Sequence, residues 1–292
     1  HLNSTKFSEF VLSKLKSQYK NFTEKHDTVL TVNTVTGKVV TKTEELEFDL
    51  VVDCRGFADS KLFDTGEIKS PQFSAVNSVI IWPEWKTYNE YYTTAQIHDN
   101  GWMFGVPLST RKAWGYLYDN KVTSFDKAKE DFQKIKNLDD ATLEKCRSFS
   151  WDQYIRTKAI DGKVLYLGNN LFFFEPAGAI PLHYYLNLSM IICEDIGKTD
   201  FNWRYEKVIN EYHMEMMEQH QDITAINYAG KNKIESEFWN NIIPKATDRL
   251  KTSPYFSRWL RGHWNTDHYF TNPKELMKQY LTKFEVNQSQ FW

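Results

Sequence analysis

The residues best suited to chemistry lie between Val164 and His183. Val164–Leu167 is a short apolar run and reads as a buried strand. It stops at the turn Gly168-Asn169-Asn170. A tight loop, Glu175-Pro176-Ala177-Gly178-Ala179, follows. After Pro181 apolar residues recur with helical spacing at Leu182, Tyr185, Leu186, Met190 and Cys193. Proline suits the first turn of a helix, where its missing N–H costs nothing. A helix start in this position aims unpaired N–H groups at whatever lies before it. That makes a seat for an anion or for the polar edge of a cofactor ring, although an ordinary βα connection has the same outline.

A second candidate lies earlier. The strand-like run Phe48–Val52 ends in Asp53-Cys54-Arg55-Gly56-Phe57. An apolar strand closing on Asp-x-x-Gly brings a carboxylate and a close-approaching backbone to where a nucleotide can bind. A plain strand-ending turn has the same letters. Glu211, His213, Glu215, Glu218 and His220 invite a metal reading. They lack a second ligand set, and Met214, Met216 and Met217 are interleaved among them, so they read as a mixed charged helix face with no metal. His263 and His268 beside Trp264 and Asp267 carry no specific signal, and no GxSxG elbow is present.

These residues need elements to hold them. Phe7, Phe10, Val11 and Leu15 follow the cap-like Asn3-Ser4-Thr5 at helical spacing, which predicts a helix to about Tyr19. Thr28–Val35 and Lys38–Lys42 alternate around Thr36-Gly37 as a hairpin. Ser74–Trp82 and Glu90–Ile97 read as strands. Gly101–Leu108 and Lys112–Tyr118 form an antiparallel pair around Ser109-Thr110-Arg111. Short helices are expected over Ser124–Ile135 and Asp140–Cys146, and Trp151–Lys158 leads into the Val164 strand. From Tyr184 onward the pattern is helical, with one long helix from Phe201 through about Glu218 and with Pro244, Pro254 and Pro273 as punctuation.

Composition narrows the function classes. A net charge of −2 with dispersed Lys and Arg argues against a nucleic-acid or anionic-membrane surface. No apolar run long enough to span a bilayer occurs. The 10 Trp, 16 Tyr and 20 Phe suit deep apolar pockets or large interfaces, and equally a bulky core. Cys54, Cys146 and Cys193 are an odd set without CxxC spacing and read as buried thiols of a reducing, cytoplasmic compartment.

Gly168, Asn169, Phe173, Glu175, Pro176 and Ala179 fall in register with the second flavin-contacting motif of the flavin-dependent (tryptophan-type) halogenases. That motif runs Gly-Asn/Asp-Ala, then Phe-x-Glu-Pro-Leu-Glu-Ser/Ala-Thr. Val52-Asp53-x-x-Gly56-Phe57 is similar to the family's Val-Asp-x-Thr/Ser-Gly-Phe, with Arg55 in place of the small hydroxyl residue. Gly101-Trp102 through Pro107-Leu108, then Gly115-Tyr116-x-Tyr118, resembles the family's sheet beside the substrate and flavin cavity. The resemblance covers nearly the whole chain and corresponds to the C-terminal two-thirds of such a protein. The GxGxxG region is absent, which suggests a fragment that starts after a nucleotide-binding unit.

The resemblance implies an α+β (mixed α/β) fold. It contains part of an FAD/NAD(P)-binding domain of the aromatic-hydroxylase-like type, an antiparallel substrate sheet and a helical C-terminal region. Residues 1–70 and 161–198 would be the remainder of the FAD-binding domain, 71–160 the substrate-side sheet, and 199–292 the helical region. It implies FAD, delivered reduced by a separate flavin reductase, a halide ion, and an electron-rich tryptophan- or indole-like substrate. Asp53, Gly56, Gly168, Asn169 and Pro176 would touch the cofactor. Ala177, Gly178, Ala179, Ile180 and Pro181 would form the halide and flavin loop, and Trp102, Phe104 and Phe173 the substrate cavity. The loop departs from the family: Gly178 stands where the catalytic Glu is found, Ile180 replaces a Thr, and Pro181 lacks an N–H. The catalytic Lys belongs to the region before His1. Glu175 is a displaced candidate acid. A flavin monooxygenase acting on aromatic compounds, or a non-catalytic pocket or scaffold protein on the same fold, fits as an alternative. The fragment alone would be inactive and poorly soluble, with exposed apolar surface and a sheet edge, and a homodimer is possible for the parent.

Overall fold

The computed structural model describes residues 3–90, 92–177, 180–196, 206–230 and 234–256. In chain order the elements begin with α1 (Ser4–Gln18), β1 (Val29–Val32), β2 (Lys38–Thr41), β3 (Glu45–Glu47), β4 (Val51–Asp53) and β5 (Ile68–Lys69). Next come β6 (Ser78–Glu84), β7 (Thr94–His98), β8 (Gly101–Leu108), β9 (Arg111–Tyr118), α2 (Phe125–Lys136), α3 (Asp140–Leu143) and β10 (Arg147–Ser150). Then follow β11 (Tyr154–Arg156), β12 (Ile160–Asp161), β13 (Val164–Tyr166), β14 (Phe172–Phe173), α4 (Ile180–Ile196), α5 (Glu206–Tyr228) and α6 (Glu237–Thr252). The described residues form two compact units. One takes its parts from His1–Val32, Val39–Leu46 and Ser78–Ser150, the other from Asn33–Lys38, Glu47–Asn77 and Trp151–Trp292.

The first unit is built on a five-stranded antiparallel sheet in the order β10-β6-β9-β8-β7. Strand β8 alternates buried and half-buried along its length, so one face is packed and the other partly open. The packed face carries Ile80, Met103, Tyr116 and Tyr118, covered by Ala128 and Phe132 of α2. Ala128 and Phe132 are four apart, which puts them on one side of that helix. α2 is well specified locally. The Ser124 hydroxyl accepts from the Lys127 amide, and the helix ends on Asn137 in the left-handed region, with a φ of 49°. Polar bonds fix how α2 sits: the Tyr116 hydroxyl donates to Asp131 at 2.6 Å, and the Asn100 amide donates to both Tyr116 and Asp131. On the opposite face Trp102 and Phe104 lie side by side, with ring centroids 6.1 Å apart. Phe104 crosses Gly115, where an added methyl would come 2.2 Å from the ring.

Among the described residues the second unit holds two small sheets and three α-helices. β4 and β13 run parallel, pairing Val51 with Val164, Val52 with Leu165 and Asp53 with Tyr166. β12 flanks β13, so among the described residues β4 is an edge. β11 lies between β5 and β14 in a separate antiparallel sheet. α5 is clamped to these strands by Asn210, which accepts from the Ala159 and Ile160 amides and donates to the Ile160 carbonyl at 2.8 Å. α6 is tied to α5 by Arg249, which donates to Asp222 at 2.7 Å and Glu218 at 2.9 Å.

The mixed α/β architecture with an antiparallel sheet and C-terminal helices is as the sequence implied, and several local expectations need correction. Of the expected Phe48–Val52 strand only Val51 and Val52 are extended, as the start of β4, while Phe48–Leu50 connect β3 to β4, which join different sheets. β10 has too polar and short a pattern to read as a strand, because it is an exposed edge. Pro244 does not punctuate. It sits inside α6 on the exposed side, where water can satisfy the Asn240 carbonyl. α5 continues to Tyr228, and the expected helix start at Phe201 lies outside the described residues, as do His263, His268 and Pro273. α5 is also no solvated charged face. His213 and His220 are buried, and His213 is held between the Tyr184 hydroxyl at 2.7 Å and the Arg156 carbonyl at 2.8 Å. The apolar stripe on α4 is outward: Leu182, Leu186 and Met190 are exposed, whereas Tyr184, Leu188 and Ile192 are buried. Cys54 and Cys193 are exposed rather than buried, Cys54 on a loop and Cys193 on the outer side of α4, and all three thiols are free. Among the described residues no helix is long and apolar enough to cross a membrane.

The buried network under α2 predicts a measurable cost. Tyr116→Phe removes one hydroxyl that bonds Asp131 and Asn100, and should destabilise by about 1–2 kcal/mol in urea denaturation, while Asp131→Ala should cost more. Equal and negligible effects of both would show that the network does not position α2.

Candidate functional site

Parallel pairing of β4 with β13 puts the carboxyl ends of both strands side by side, and both are followed by glycine-containing loops. Ligands of α/β sheets bind outside such carboxyl ends. Asp53 closes β4 and is buried. Its oxygens accept from Arg55: Nε at 3.0 Å, Nη2 at 2.8 Å and the backbone amide at 3.1 Å. Burial pushes the carboxyl up, yet the Arg55 bonds and charge, aided by Asn170, outweigh it and hold Asp53 below the usual range. Gly56 and Gly168 both have positive φ, at 22° and 61°, and apart from their chain neighbours nothing lies within 4 Å of where a side chain would start. Two bare backbone surfaces therefore open at this edge.

The two loops are cross-linked by a residue the sequence reading passed over. The Tyr154 hydroxyl accepts from the Ala58 amide at 2.8 Å and donates to the Asn169 carbonyl. The Tyr185 hydroxyl on α4 donates to the Gly168 carbonyl at 2.9 Å. From below, buried Arg156 donates to the Asn170 carbonyl and side chain, both at 3.2 Å, and stacks on Tyr166 at 3.8 Å. Asn169 itself is exposed. Phe173 sits edge-on to Phe57, 4.8 Å away, and to Trp151, 5.7 Å away, an aromatic trio in which Phe57 directly follows Gly56. The signal for Tyr154, Tyr185, Phe57 and Trp151 was their aromatic type beside the two motifs. Nothing in the spacing told that their hydroxyls and rings would converge.

Asp53, Gly56, Gly168, Asn169 and Phe173 thus belong to one unit and gather around one strand pair. Pro176 is exposed and Ala177 buried, Ile180 and Pro181 open α4, and Gly178 and Ala179 lie outside the described residues. Trp102 and Phe104 belong to the other unit. Glu175 is turned into the fold. It is 2% exposed, accepts from the Ala75 and Val76 amides at 3.2 and 3.3 Å, and accepts from the Tyr228 hydroxyl at 2.7 Å. It fastens the segment before β6 and the end of α5 to the loop after β14. Burial raises its carboxyl to about 7, against the pull of Tyr228 and the two amides.

The raised Glu175 value sets a pH dependence. The folded state holds this proton more tightly than the unfolded chain, so the stabilisation is complete below about 4.5, the ordinary value, and is lost as pH climbs through about 7. The loss should reach about 3 kcal/mol. Glu175→Gln should flatten stability between pH 5 and 8, measured by denaturant midpoints. An unchanged slope in that variant would assign the pH dependence elsewhere.

Comparison with known proteins gives this geometry a lineage. The family model described as "Tryptophan halogenase" matches residues 1–279. The tryptophan halogenase from Shewanella frigidimarina NCIMB 400 superposes with a TM-score of 0.75 at 20% identity, over 98% of this chain and 58% of that one. The tryptophan 6-halogenase from Streptomyces toxytricini gives 0.77 at 16% identity, over 96% and 57%. A flavin-dependent halogenase from Brevundimonas sp. BAL3 gives 0.77 at 15% identity, over 98% and 60%. The chain therefore spans less than two-thirds of the length of these relatives. With a family model matching nearly end to end and a shared fold, this chain belongs to the tryptophan halogenase family.

Proposed function

We propose that the protein of which this chain is a part is a flavin-dependent halogenase acting on an electron-rich, tryptophan- or indole-like aromatic compound. The carrying observation is the carboxyl edge of β4 and β13, with two open-faced glycines and loops held in place by Tyr154 and Tyr185. Such an edge fits a dinucleotide, because bare backbone can approach it closely. Asp53, Gly56, Gly168, Asn169 and Pro176 would hold FAD there, and residues 1–70 and 161–198 would be part of its domain. Bound in reduced form, after delivery by a separate flavin reductase, FAD would supply the electrons for dioxygen activation. This chain's own share is binding and exclusion of water. The Phe57–Phe173–Trp151 trio provides an apolar wall at the edge, and the Trp102–Phe104 face offers aromatic surface for a flat substrate. The loop Ala177-Gly178-Ala179-Ile180-Pro181 would seat halide. The three free thiols suit a reducing, cytoplasmic setting.

One observation favours a second reading. Gly178 carries no side chain, and buried Glu175 is committed to the Ala75, Val76 and Tyr228 bonds, so residues 175–181 present no acid to a substrate. A flavin-binding descendant that no longer halogenates, or one that inserts oxygen, follows from that loss.

The complete gene product with FAD, a flavin reductase, bromide and tryptophan or indole should give product in which one bromine replaces one hydrogen, read by mass spectrometry. Oxygen incorporation instead would support the monooxygenase. FAD binding with neither product would leave the non-catalytic descendant.

A further inference from the structure

Arg55 is the position where this chain departs from its family's small hydroxyl residue, and the structure shows what the larger side chain does. Its guanidinium folds back on Asp53, using Nε and Nη2. A guanidinium has a second donor edge, formed by Nη1 and the outer hydrogen of Nη2. Among the described residues none accepts from Nη1, and the side chain remains 47% exposed. Asp53, by contrast, has a 2% exposed side chain and is fixed in β4. A buried carboxylate thus holds a rigid, water-accessible fork at the carboxyl edge of the strand pair, one residue before the open-faced Gly56. A planar fork of this kind matches two oxygens of a phosphate, and holding it in advance reduces the ordering cost of binding.

We propose that Arg55 is a phosphate-recognising residue, whose free fork binds a phosphate oxyanion of the flavin dinucleotide at this edge. The assignment rests on the flavin reading for its ligand, and on the geometry of Asp53 and Arg55 for the seat. Arg156 supports the same edge from within the fold. It is itself buried and tied to Asn170, so it is committed to the loop, whereas Arg55 stays half-exposed. The Asp53 partner cancels much of the long-range charge of Arg55. Recognition here is therefore by directed hydrogen bonds and should discriminate phosphate esters from neutral flavin.

The test measures dissociation constants of FAD, riboflavin and inorganic pyrophosphate for the full-length protein and for Arg55→Gln and Arg55→Lys. Loss of a charge-assisted pair should weaken FAD and pyrophosphate roughly 10- to 100-fold in Arg55→Gln and leave riboflavin unchanged. Arg55→Lys keeps a charge beside Asp53 and should recover only part of the pyrophosphate affinity. Unchanged FAD binding in Arg55→Gln, or an equal loss for riboflavin, overturns the assignment. Pyrophosphate bound through Arg55 without FAD binding would keep the anion seat and sink the flavin reading. Binding of neither ligand by the wild type sinks both. Should Arg55→Gln fail to fold, the wild-type Arg55 Nε–H resonance decides: a shift on adding pyrophosphate supports the seat, and none rejects it.

Discussion

Three parallel residue pairs between β4 and β13 carry the candidate site. They bring together loops that lie far apart in the chain, and every other feature of the site works by holding those loops once paired. Parallel strands make slanted, slightly weaker ladders than antiparallel ones, and so short a pair needs help. The help comes from side chains. Tyr154 joins the two loops directly, Tyr185 reaches Gly168 from α4, and Arg156 holds Asn170 from inside. The helices earn their place in the same way. α5 is locked to the strands through Asn210 and His213, and α6 is locked to α5 through Arg249.

The sequence was most readable where one residue type meets one physical need. Gly168 and Gly56 mark bare, positive-φ backbone, and Ser109-Thr110-Arg111 marks the turn between the paired strands Gly101–Leu108 and Arg111–Tyr118. It was least readable where a helix is apolar all round or where polar residues are buried in pairs. On α4 both Leu182-Leu186-Met190 and Tyr184-Leu188-Ile192 have helical spacing, and only packing decides which turns inward. On α5 His213 looks like a surface residue until Tyr184 and the Arg156 carbonyl are brought to it by the fold. Glu175 shows the same limit. Its position in the loop suggested an acid, whereas its partners, Ala75, Val76 and Tyr228, lie 100, 99 and 53 residues away.

The departures from the family pattern are unevenly distributed in their effects. If the loop after β14 follows the family motif in the register given above, its changes would remove functional groups: a carboxyl at Gly178, a hydroxyl at Ile180 and an N–H at Pro181. At the β4 edge the same register would add one, because Arg55 brings a guanidinium to the place of the motif's small hydroxyl residue. The charge is accommodated by Asp53, so the fold need not change to accept it.

Cys54 stands between Asp53 and Arg55 with its thiol exposed. Partial burial and the neighbouring Asp53 charge push that thiol above its ordinary value, so little thiolate is present near neutrality. Thiolate is the form that oxidants attack. Burial, joined by the carboxylate that orients Arg55, thus keeps this sulfur mostly protonated and a poorer nucleophile than an unperturbed thiol.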